Sequence, residues 1–226
     1  MNLAIIPARG GSKRIQKKNI KLFHGKPIIG YSISTAMSSG LFERVIVSSD
    51  DDEIIDVSLE YGAEVLSKRS KELSDDFTPI NSVITDVLSE LGEEASKYEN
   101  ICCIYACSPF IRVTDLTNSF NIMKELSASS CIPVTEFHSS PYRAFKIVNK
   151  RLKWLNPEYR LTRTQDLEKI YHDIGAFAWA TRDKWNSGDI SDGVAYEVPN
   201  NIFIDIDTEE DWDRAELLYK ISNNLN

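Results

Sequence analysis

The segment IIPARGGSKRIQKKN, residues 5–19, combines a Gly-Gly pair with five basic side chains. Gly10 and Gly11 follow Arg9 directly, and the apolar run before them predicts a buried strand. Glycine lets backbone N–H groups approach phosphate oxygens, while Lys and Arg supply positive charge. A basic run alone is most often a solvated loop, but its place after a strand favours an anion site. The P-loop pattern G-x-x-x-x-G-K-[ST] and the Rossmann pattern G-x-G-x-x-G are both absent from the sequence.

A pair of carboxylates lies near the other end of the chain, where Asp205 and Asp207 in FIDIDTEEDW have the spacing of one strand face. Ile202, Ile204 and Ile206 alternate with them and predict that the opposite face of this strand is buried. Two carboxylates on one face repel each other unless a cation joins them. Mg²⁺ binds one or two carboxylates together with water and phosphate oxygens. The pair therefore favours a Mg²⁺ site over two exposed carboxylates at a strand end.

The same two aspartates also fit a phosphatase-type D-x-D-x-T motif with a nucleophilic aspartate. That motif belongs after an early strand, whereas fewer than twenty residues follow Asp207. A basic phosphate loop and a dicarboxylate site together suggest a nucleoside triphosphate as ligand. The spacing of the residues leaves phosphoryl transfer and nucleotidyl transfer both open.

Apolar runs alternate with segments of helical periodicity along most of the chain. The pattern predicts strands at 3–7, 44–49, 63–66, 100–106, 131–135, 175–180 and 202–207, and helices at 27–37, 50–62, 80–91, 114–126 and after 207. Such alternation predicts an α/β fold, with a mainly parallel twisted sheet flanked by helices. Ligands of these sheets bind beyond the carboxyl ends of the strands. The basic loop, the turn at Asp50 and the turn 106–109 all lie at such ends.

The alternation breaks between residues 137 and 173, where the sequence is rich in aromatic and basic residues. This stretch predicts a small inserted arm with a hairpin near 144–154. We therefore predict one α/β domain, made of 1–136 and 174–226, and an inserted arm at 137–173.

The composition restricts the partners of the protein. Its 226 residues carry a formal net charge of −8, which argues against a nucleic-acid or membrane-surface partner. No Asp or Glu precedes Glu43, so the basic loop is a local feature of an acidic protein. The four cysteines lack metal-binding spacing and predict no disulfide framework. We find no signal peptide and no apolar run that could span a bilayer, and we expect a cytoplasmic protein.

Longer motifs resemble the sugar-acid cytidylyltransferases, the family of CMP-sialic acid synthetases. These motifs are IIPARGGSKRIQKKNIKLFHGKPIIGYSI, VIVSSDDDEI, YGAEV, KRSKELSDDFT, YACSPFIR and IDIDTEEDWDRAELLY. The resemblance implies a nucleotide-diphospho-sugar transferase-like fold and an enzyme that joins CTP to a nonulosonic acid with release of pyrophosphate. It also implies Mg²⁺ as cofactor and a homodimer, with the inserted arm serving dimerisation and sugar binding.

One segment, TRTQDLEKIYHDIGAFAW, most resembles the pseudaminic acid branch of this family, because a His-Asp pair precedes its Gly-aromatic strand. The same reaction on N-acetylneuraminic or legionaminic acid is the alternative. A non-catalytic CTP- or sugar-sensing protein on this fold is less favoured, because both aspartates are kept.

The resemblance also assigns roles to residues. It implies catalytic roles for Arg9, Lys13 and Asp207, and it places Mg²⁺ on Asp205 and Asp207. The CTP site would contain Ala8, Arg9, Gly10, Gly11, Ser12, Lys13, Lys18, Asn19, Arg69, Ser82, Ala106, Ser108 and Pro109. The sugar site would contain Arg163, Gln165, His172, Asp173 and Phe177. The sequence Tyr105-Ala106-Cys107 departs from the family pattern around the base, and no residue is indicated as the general base.

Overall fold

The structure, a computed structural model, describes residues 1–199 and 203–223. Its strands in chain order are β1 (Asn2–Pro7), β2 (Leu22–Phe23), β3 (Lys26–Pro27), β4 (Arg44–Ser48), β5 (Asn100–Ile104), β6 (Ser130–Glu136), β7 (Phe145–Val148), β8 (Arg151–Trp154), β9 (Tyr171–Asp173), β10 (Phe177–Thr181) and β11 (Val194–Glu197). Its α-helices are α1 (Ile28–Ser38), α2 (Asp52–Glu60), α3 (Ile80–Leu91), α4 (Val113–Glu125), α5 (Arg182–Ser187) and α6 (Glu209–Ser222).

A twisted sheet with the strand order β11-β6-β10-β5-β1-β4 forms the centre of the fold, and β9 extends it by pairing with β6. Strand β1 is parallel to β4 and β5, and β11 is parallel to β6. Strand β10 runs antiparallel to both of its neighbours, β5 and β6. The predicted α/β fold with a mainly parallel sheet is confirmed. The chain enters β10 directly from β9, which already runs antiparallel to β6, rather than from a crossover helix, so β10 has the reversed direction as well.

Alternating side chains of the buried strands fill two apolar layers, one on each face of the sheet. Ala4 and Ile6 of β1 pack on the same side as Leu116 of α4. Leu3 and Ile5 pack on the other side, with α3 and with Trp185 of α5. Both faces of β1 are therefore covered, which explains why its sequence is a continuous apolar run rather than an alternating one.

A third apolar cluster docks helix α6 beside the start of the chain. Trp212 of α6 lies edge-to-face with Phe23, with ring centroids 5.6 Å apart, and Tyr219 makes a similar contact at 5.3 Å. The helix begins with a capping box, in which the side chain of Thr208 accepts from the backbone N–H of Asp211 and Asp211 accepts from the Thr208 backbone. This docking fixes the segment that precedes α6.

The predicted strand at 202–207 is wrong over the residues that the structure describes, because 203–207 has no strand pairing. Ile202 lies outside the described residues. Ile206 is buried in the aromatic cluster with Phe23 and Trp212, and Ile204 packs beside it. The apolar residues alternate in this segment because they pack against aromatic rings, and not because the segment forms a strand of the sheet.

Smaller differences between the prediction and the structure concern the extent of individual strands and helices. Residues 63–66, predicted as a strand, contribute a single bridge between Glu64 and Ile46. Helix α2 begins at Asp52 rather than at Asp50, because the side chain of Asp51 caps it by accepting from the backbone N–H groups of Glu53 and Ile54.

The inserted arm contains the expected hairpin. Strands β7 and β8 pair antiparallel through a turn in which Asn149 and Lys150 have φ angles of 52° and 63°. Ile147 and Leu152 on this hairpin are 74% and 65% exposed. Within the described residues, no helix is both long enough and apolar enough to cross a membrane.

Candidate active site

A cleft of about 650 Å³ opens at the carboxyl ends of β1 and β5. Chain segments that are distant in sequence form its walls, among them the basic loop after β1, the loop between residues 69 and 80, and the segment before α6. Many residues of the predicted site line it, namely Arg9, Ser12, Lys13, Lys18, Asn19, Arg69, Ala106, Asp205 and Asp207. The cleft therefore brings the basic loop and the two aspartates to one place, as expected from the sheet topology.

The glycines shape the basic loop from behind the cleft. The backbone N–H of Gly10 donates to Oδ1 of Asp50 at 2.9 Å, and Asn19 donates to the carbonyl of Arg9 at 2.9 Å. A Cβ at Gly10 would lie 2.6 Å from Oδ2 of Asp51, whereas one at Gly11 would meet nothing within 4 Å. Gly10 is therefore required for a close approach to the turn 50–51. Its N–H already has a partner inside the protein, and the place of Gly10 in the CTP site stays a prediction.

Four basic side chains point into the cleft in two pairs. Arg9 lies 2.7 Å from Oδ1 of Asp76 and donates to the carbonyl of Asp75 at 2.7 Å. Lys13 forms a salt bridge with the same carboxylate of Asp76. Their hydrogen bonds lower the pKa of Asp76, with Lys13 as the larger cause.

The second basic pair lies at the other wall. Arg14 donates to Oδ1 of Asp207 at 2.9 Å, and Lys18 donates to the carbonyl of Ile206 at 2.7 Å. Lys17 instead pairs with Glu53 on the outside of the loop, at 2.5 Å. Only part of the basic run therefore faces the cleft.

Arg69 forms part of the cleft floor and is only 6% exposed. Its guanidinium lies 3.8 Å from Oδ1 of Asp50, and its Nε donates to Oγ of Ser74 at 3.1 Å. Burial lowers the pKa of Arg69, and the charge of Asp50 opposes that shift. The side chain thus ties the turn that supports Gly10 to the loop that carries Asp75 and Asp76.

The two aspartates of the C-terminal segment face the cleft with Gly175. A Cβ at Gly175, whose φ is +63°, would lie 3.3 Å from Cγ of Asp205. Partial burial raises the pKa of Asp205, and the negative charge of Asp207 raises it further, whereas Lys18 lowers it. Like charges are therefore close together here. Across 1–199 and 203–223, no group of three or more His, Cys, Asp or Glu side chains is arranged to hold a metal.

A three-residue bulge brings Gly175 to this position. Asp173 of β9 pairs with Val134, whereas Trp179 of β10 pairs with Cys131, so that residues 174–178 stand opposite only 132–133. The bulge is fixed through the carbonyl of Ala176, which accepts from the backbone N–H of Tyr105 at 2.9 Å and from Ser108 Oγ at 3.3 Å.

The turn after β5 contributes fewer groups to the cleft than expected. Ala106 lines the cleft, but Ser108 and Pro109 are buried beneath it. Tyr105 and Cys107 also line the cleft, although neither is among the site residues predicted from the sequence. Burial raises the pKa of Tyr105, and it raises the pKa of Cys107 to about 12, so both remain neutral.

Other predicted nucleotide residues lie off the cleft. Ala8 is buried in the core behind β1, and Ser82 does not line the cleft although Ile80 and Val83 of the same helix do. Successive helix residues are about 100° apart, so Ser82 points away from the face that Ile80 and Val83 share.

The predicted sugar residues do not line the cleft of their own chain. His172 is exposed, with its ring 4.6 Å from that of Phe137, and Asp173 accepts from the N–H of Gly175 at 2.8 Å. Arg163 pairs with Asp166 on the arm at 2.7 Å. Gln165 is also exposed on the arm.

The structure places Phe177 in the core, away from the sugar site predicted for it. Its side chain is 1% exposed and belongs to the apolar layer that contains Leu116 and Trp179. The residue begins β10, and its ring points into the core rather than toward the cleft.

Comparison with known proteins agrees with the fold and shows the family. The family model described as cytidylyltransferase matches residues 3–177. The chain belongs to the cytidylyltransferase family. It is 39% identical over 226 residues to the pseudaminic acid cytidylyltransferase of Campylobacter jejuni, covering 98% of this chain and 97% of the relative. It is 30% identical to the CMP-N,N'-diacetyllegionaminic acid synthase of Legionella pneumophila, with 97% of each chain covered.

A solved structure shows the same fold. CMP:2-keto-3-deoxy-manno-octonic acid synthetase, complexed with CTP, superposes with a TM-score of 0.71 over 98% of this chain and 99% of that one, at 16% identity. The expected family and the expected fold are confirmed.

The two glycines of the basic loop allow a matched test of the loop structure. We expect Gly10→Ala to lower the free energy of unfolding by about 1–2 kcal/mol, because its Cβ displaces Asp51 from the cap of α2. Gly11→Ala meets no neighbour and should change it by no more than about 0.5 kcal/mol. Urea unfolding measures both. Equal effects of the two substitutions would contradict the contact between Gly10 and the turn 50–51.

Proposed function

We propose that the protein joins CTP to pseudaminic acid, giving CMP-pseudaminic acid and pyrophosphate. One observation carries the proposal: in a chain of the cytidylyltransferase family, four basic side chains and two aspartates face one cleft at the carboxyl ends of β1 and β5. The relative with 39% identity over nearly the whole chain supports pseudaminic acid as the sugar.

In the proposed reaction the anomeric hydroxyl of the sugar attacks the α-phosphorus of CTP. A new phosphorus–oxygen bond forms, the bond between the α-phosphorus and its bridging oxygen breaks, and pyrophosphate leaves with that oxygen. Arg9, Lys13 and Lys18 stabilise the negative charge that grows on the leaving group, because they are held in the cleft before the reaction begins. The hydroxyl proton passes to a general base as the new bond forms.

Asp205 and Asp207 would hold Mg²⁺. Their carboxylates suit this ion, since Mg²⁺ takes one or two carboxylates and completes its shell with water and substrate phosphates. The raised pKa of Asp205 agrees with a pair of close carboxylates that a cation would relieve. When bound, the ion supplies neutralisation of phosphate charge.

The sugar would enter from the side of the bulge, where Gly175 and Asp173 lie next to each other and Tyr105 lines the wall. Arg163 and Gln165 are exposed and do not line the cleft of their own chain. We therefore propose a homodimer in which the arm of one protomer supplies these side chains to its partner. The exposed apolar residues of the arm, among them Ile147 and Leu152, support a covered surface.

The same reaction on N-acetylneuraminic or legionaminic acid is the alternative, and the 30% identity to the Legionella synthase supports the second of these sugars. A non-catalytic CTP sensor would not need both Asp205 and Asp207 at the cleft. The four cysteines are free thiols, which agrees with the cytoplasm as the proposed location.

Loss of a metal ligand should slow turnover strongly. We expect Asp207→Asn to lower pyrophosphate release by at least ~10²-fold, and more than Asp205→Asn does, because Asp207 would hold the metal and also pairs with Arg14. Asp213→Asn, an exposed position on α6, removes the same charge and should leave turnover within about twofold. Near-normal turnover of the Asp205→Asn/Asp207→Asn double variant at saturating Mg²⁺ would exclude this metal site.

A substrate panel tests which sugar is used. We expect turnover with pseudaminic acid and little with N-acetylneuraminic acid, a difference of up to ~10⁴-fold in kcat/KM, because unpaired polar groups in the pocket reject the wrong analogue. His172→Ala should raise the KM for the sugar more than that for CTP. If kcat/KM is equal or higher with N-acetylneuraminic or legionaminic acid, the choice of pseudaminic acid is wrong and cytidylyl transfer stands.

The arm is expected to hold the dimer. Ile147→Asp combined with Leu152→Asp places two charges on its apolar surface, and we expect sedimentation to change from dimer to monomer. The control is Leu126→Asp, a similarly exposed leucine at the end of α4, which should remain dimeric. A monomeric wild-type protein, or a dimer that survives both arm substitutions, would contradict the role of the arm.

A further inference from the structure

The loop 70–78 carries an acidic side chain that is bound to the cations of the cleft. Oδ1 of Asp76 lies 2.7 Å from Arg9, and its second oxygen pairs with Lys13. These two cations belong to a loop more than sixty residues earlier in the chain. The contact is therefore tertiary, and it joins two walls of the cleft.

The loop keeps its own shape independently of this contact. Oδ1 of Asp75 accepts from the backbone N–H groups of Phe77 and Thr78 at 2.9 and 2.6 Å, and from Oγ1 of Thr78. Phe77 is 89% exposed, so little apolar surface anchors the tip of the loop. Besides the carbonyl contact of Asp75 with Arg9, the carboxylate of Asp76 is the main link from this tip to the basic loop.

Asp76 and a triphosphate require the same side chains. A carboxylate that pairs with Arg9 and Lys13 uses the N–H groups that phosphate oxygens would accept from. All of these side chains are partly exposed, and exposed ion pairs are individually weak. A polyanion in the cleft would outcompete one carboxylate for the cations, and it would repel that carboxylate at close range.

We propose that Asp76 is an internal competitor for the triphosphate site, so that binding of CTP exchanges this carboxylate for phosphate oxygens and releases the tip of loop 70–78 from the basic loop. The inference rests on the proposed function, because it takes CTP as the ligand. Asp76 acts through Arg9 and Lys13, and is a positioning residue.

Binding measurements without sugar test the exchange. Isothermal titration with CTP, inorganic pyrophosphate and cytidine compares the wild-type protein with Asp76→Asn. We expect CTP and pyrophosphate to bind about 5-fold more tightly to the variant, the factor that corresponds to two partly exposed ion pairs that need not be broken. Cytidine has no phosphate, and its affinity should stay within about twofold.

Asp75→Asn is the matched control. It removes the same charge from the same loop, and its remaining Oδ1 can still accept from Phe77 and Thr78. Its affinity for CTP should stay near the wild-type value. Asp76→Glu keeps a carboxylate and should restore wild-type affinity.

Three results would overturn the inference while leaving the proposed function intact. They are unchanged CTP affinity in Asp76→Asn, an equal gain in Asp75→Asn, and weaker CTP binding in Asp76→Asn, which would make Asp76 a part of the nucleotide site. A wild-type protein that does not bind CTP overturns the inference and the proposed function together.

Discussion

Like charges lie close together in the cleft and repel one another, so other interactions must hold the cleft in shape. The rest of the structure depends on this constraint. Arg9, Lys13, Arg14 and Lys18 repel one another, as do Asp205 and Asp207. Opposite charges from remote segments relieve part of the repulsion, as when Arg14 meets Asp207 across 193 residues of sequence. Exposed ion pairs contribute at most about 1 kcal/mol each. The apolar layers on both faces of the sheet, and the aromatic cluster under α6, must therefore supply the stability that keeps these groups in place.

The segment that carries Asp205 and Asp207 is held in place by hydrophobic packing more than by secondary structure. The segment 203–207 has no strand partners, yet Ile206 is buried against Phe23 and Trp212, and Lys21 lies 4.4 Å over the Trp212 ring. Each aspartate of the proposed metal site is thus adjacent in sequence to a side chain anchored in an aromatic cluster. The basic loop is positioned differently, through hydrogen bonds from Gly10 to Asp50 and from Asn19 to Arg9.

The sequence predicted those strands and helices whose formation depends mainly on the residues within them. The strand at 2–7, the helix at 80–91 and the hairpin of the arm follow from apolar periodicity and turn residues. The direction of β10 could not be predicted, because a buried strand has the same apolar pattern in either direction. The strand expected at 202–207 was wrong because alternation of apolar residues also suits an extended segment on a ring cluster. Asp76 lies in the motif KRSKELSDDFT, but the motif indicates no role for it, since a loop carboxylate acquires its role only from the tertiary contact with Arg9 and Lys13.

The bulge at 174–176 makes one end of the cleft sensitive to single substitutions. Its surplus residues lie between two runs of paired strand, so the register of Asp173 with Val134 and that of Trp179 with Cys131 are each set on their own side. Ile174 and Ala176 are buried, and Gly175 has a φ of +63° with Cγ of Asp205 only 3.3 Å from where a Cβ would lie. A replacement in the bulge would therefore disturb the cleft beside Asp205 directly, while the paired strands on either side and the basic loop remain as they are.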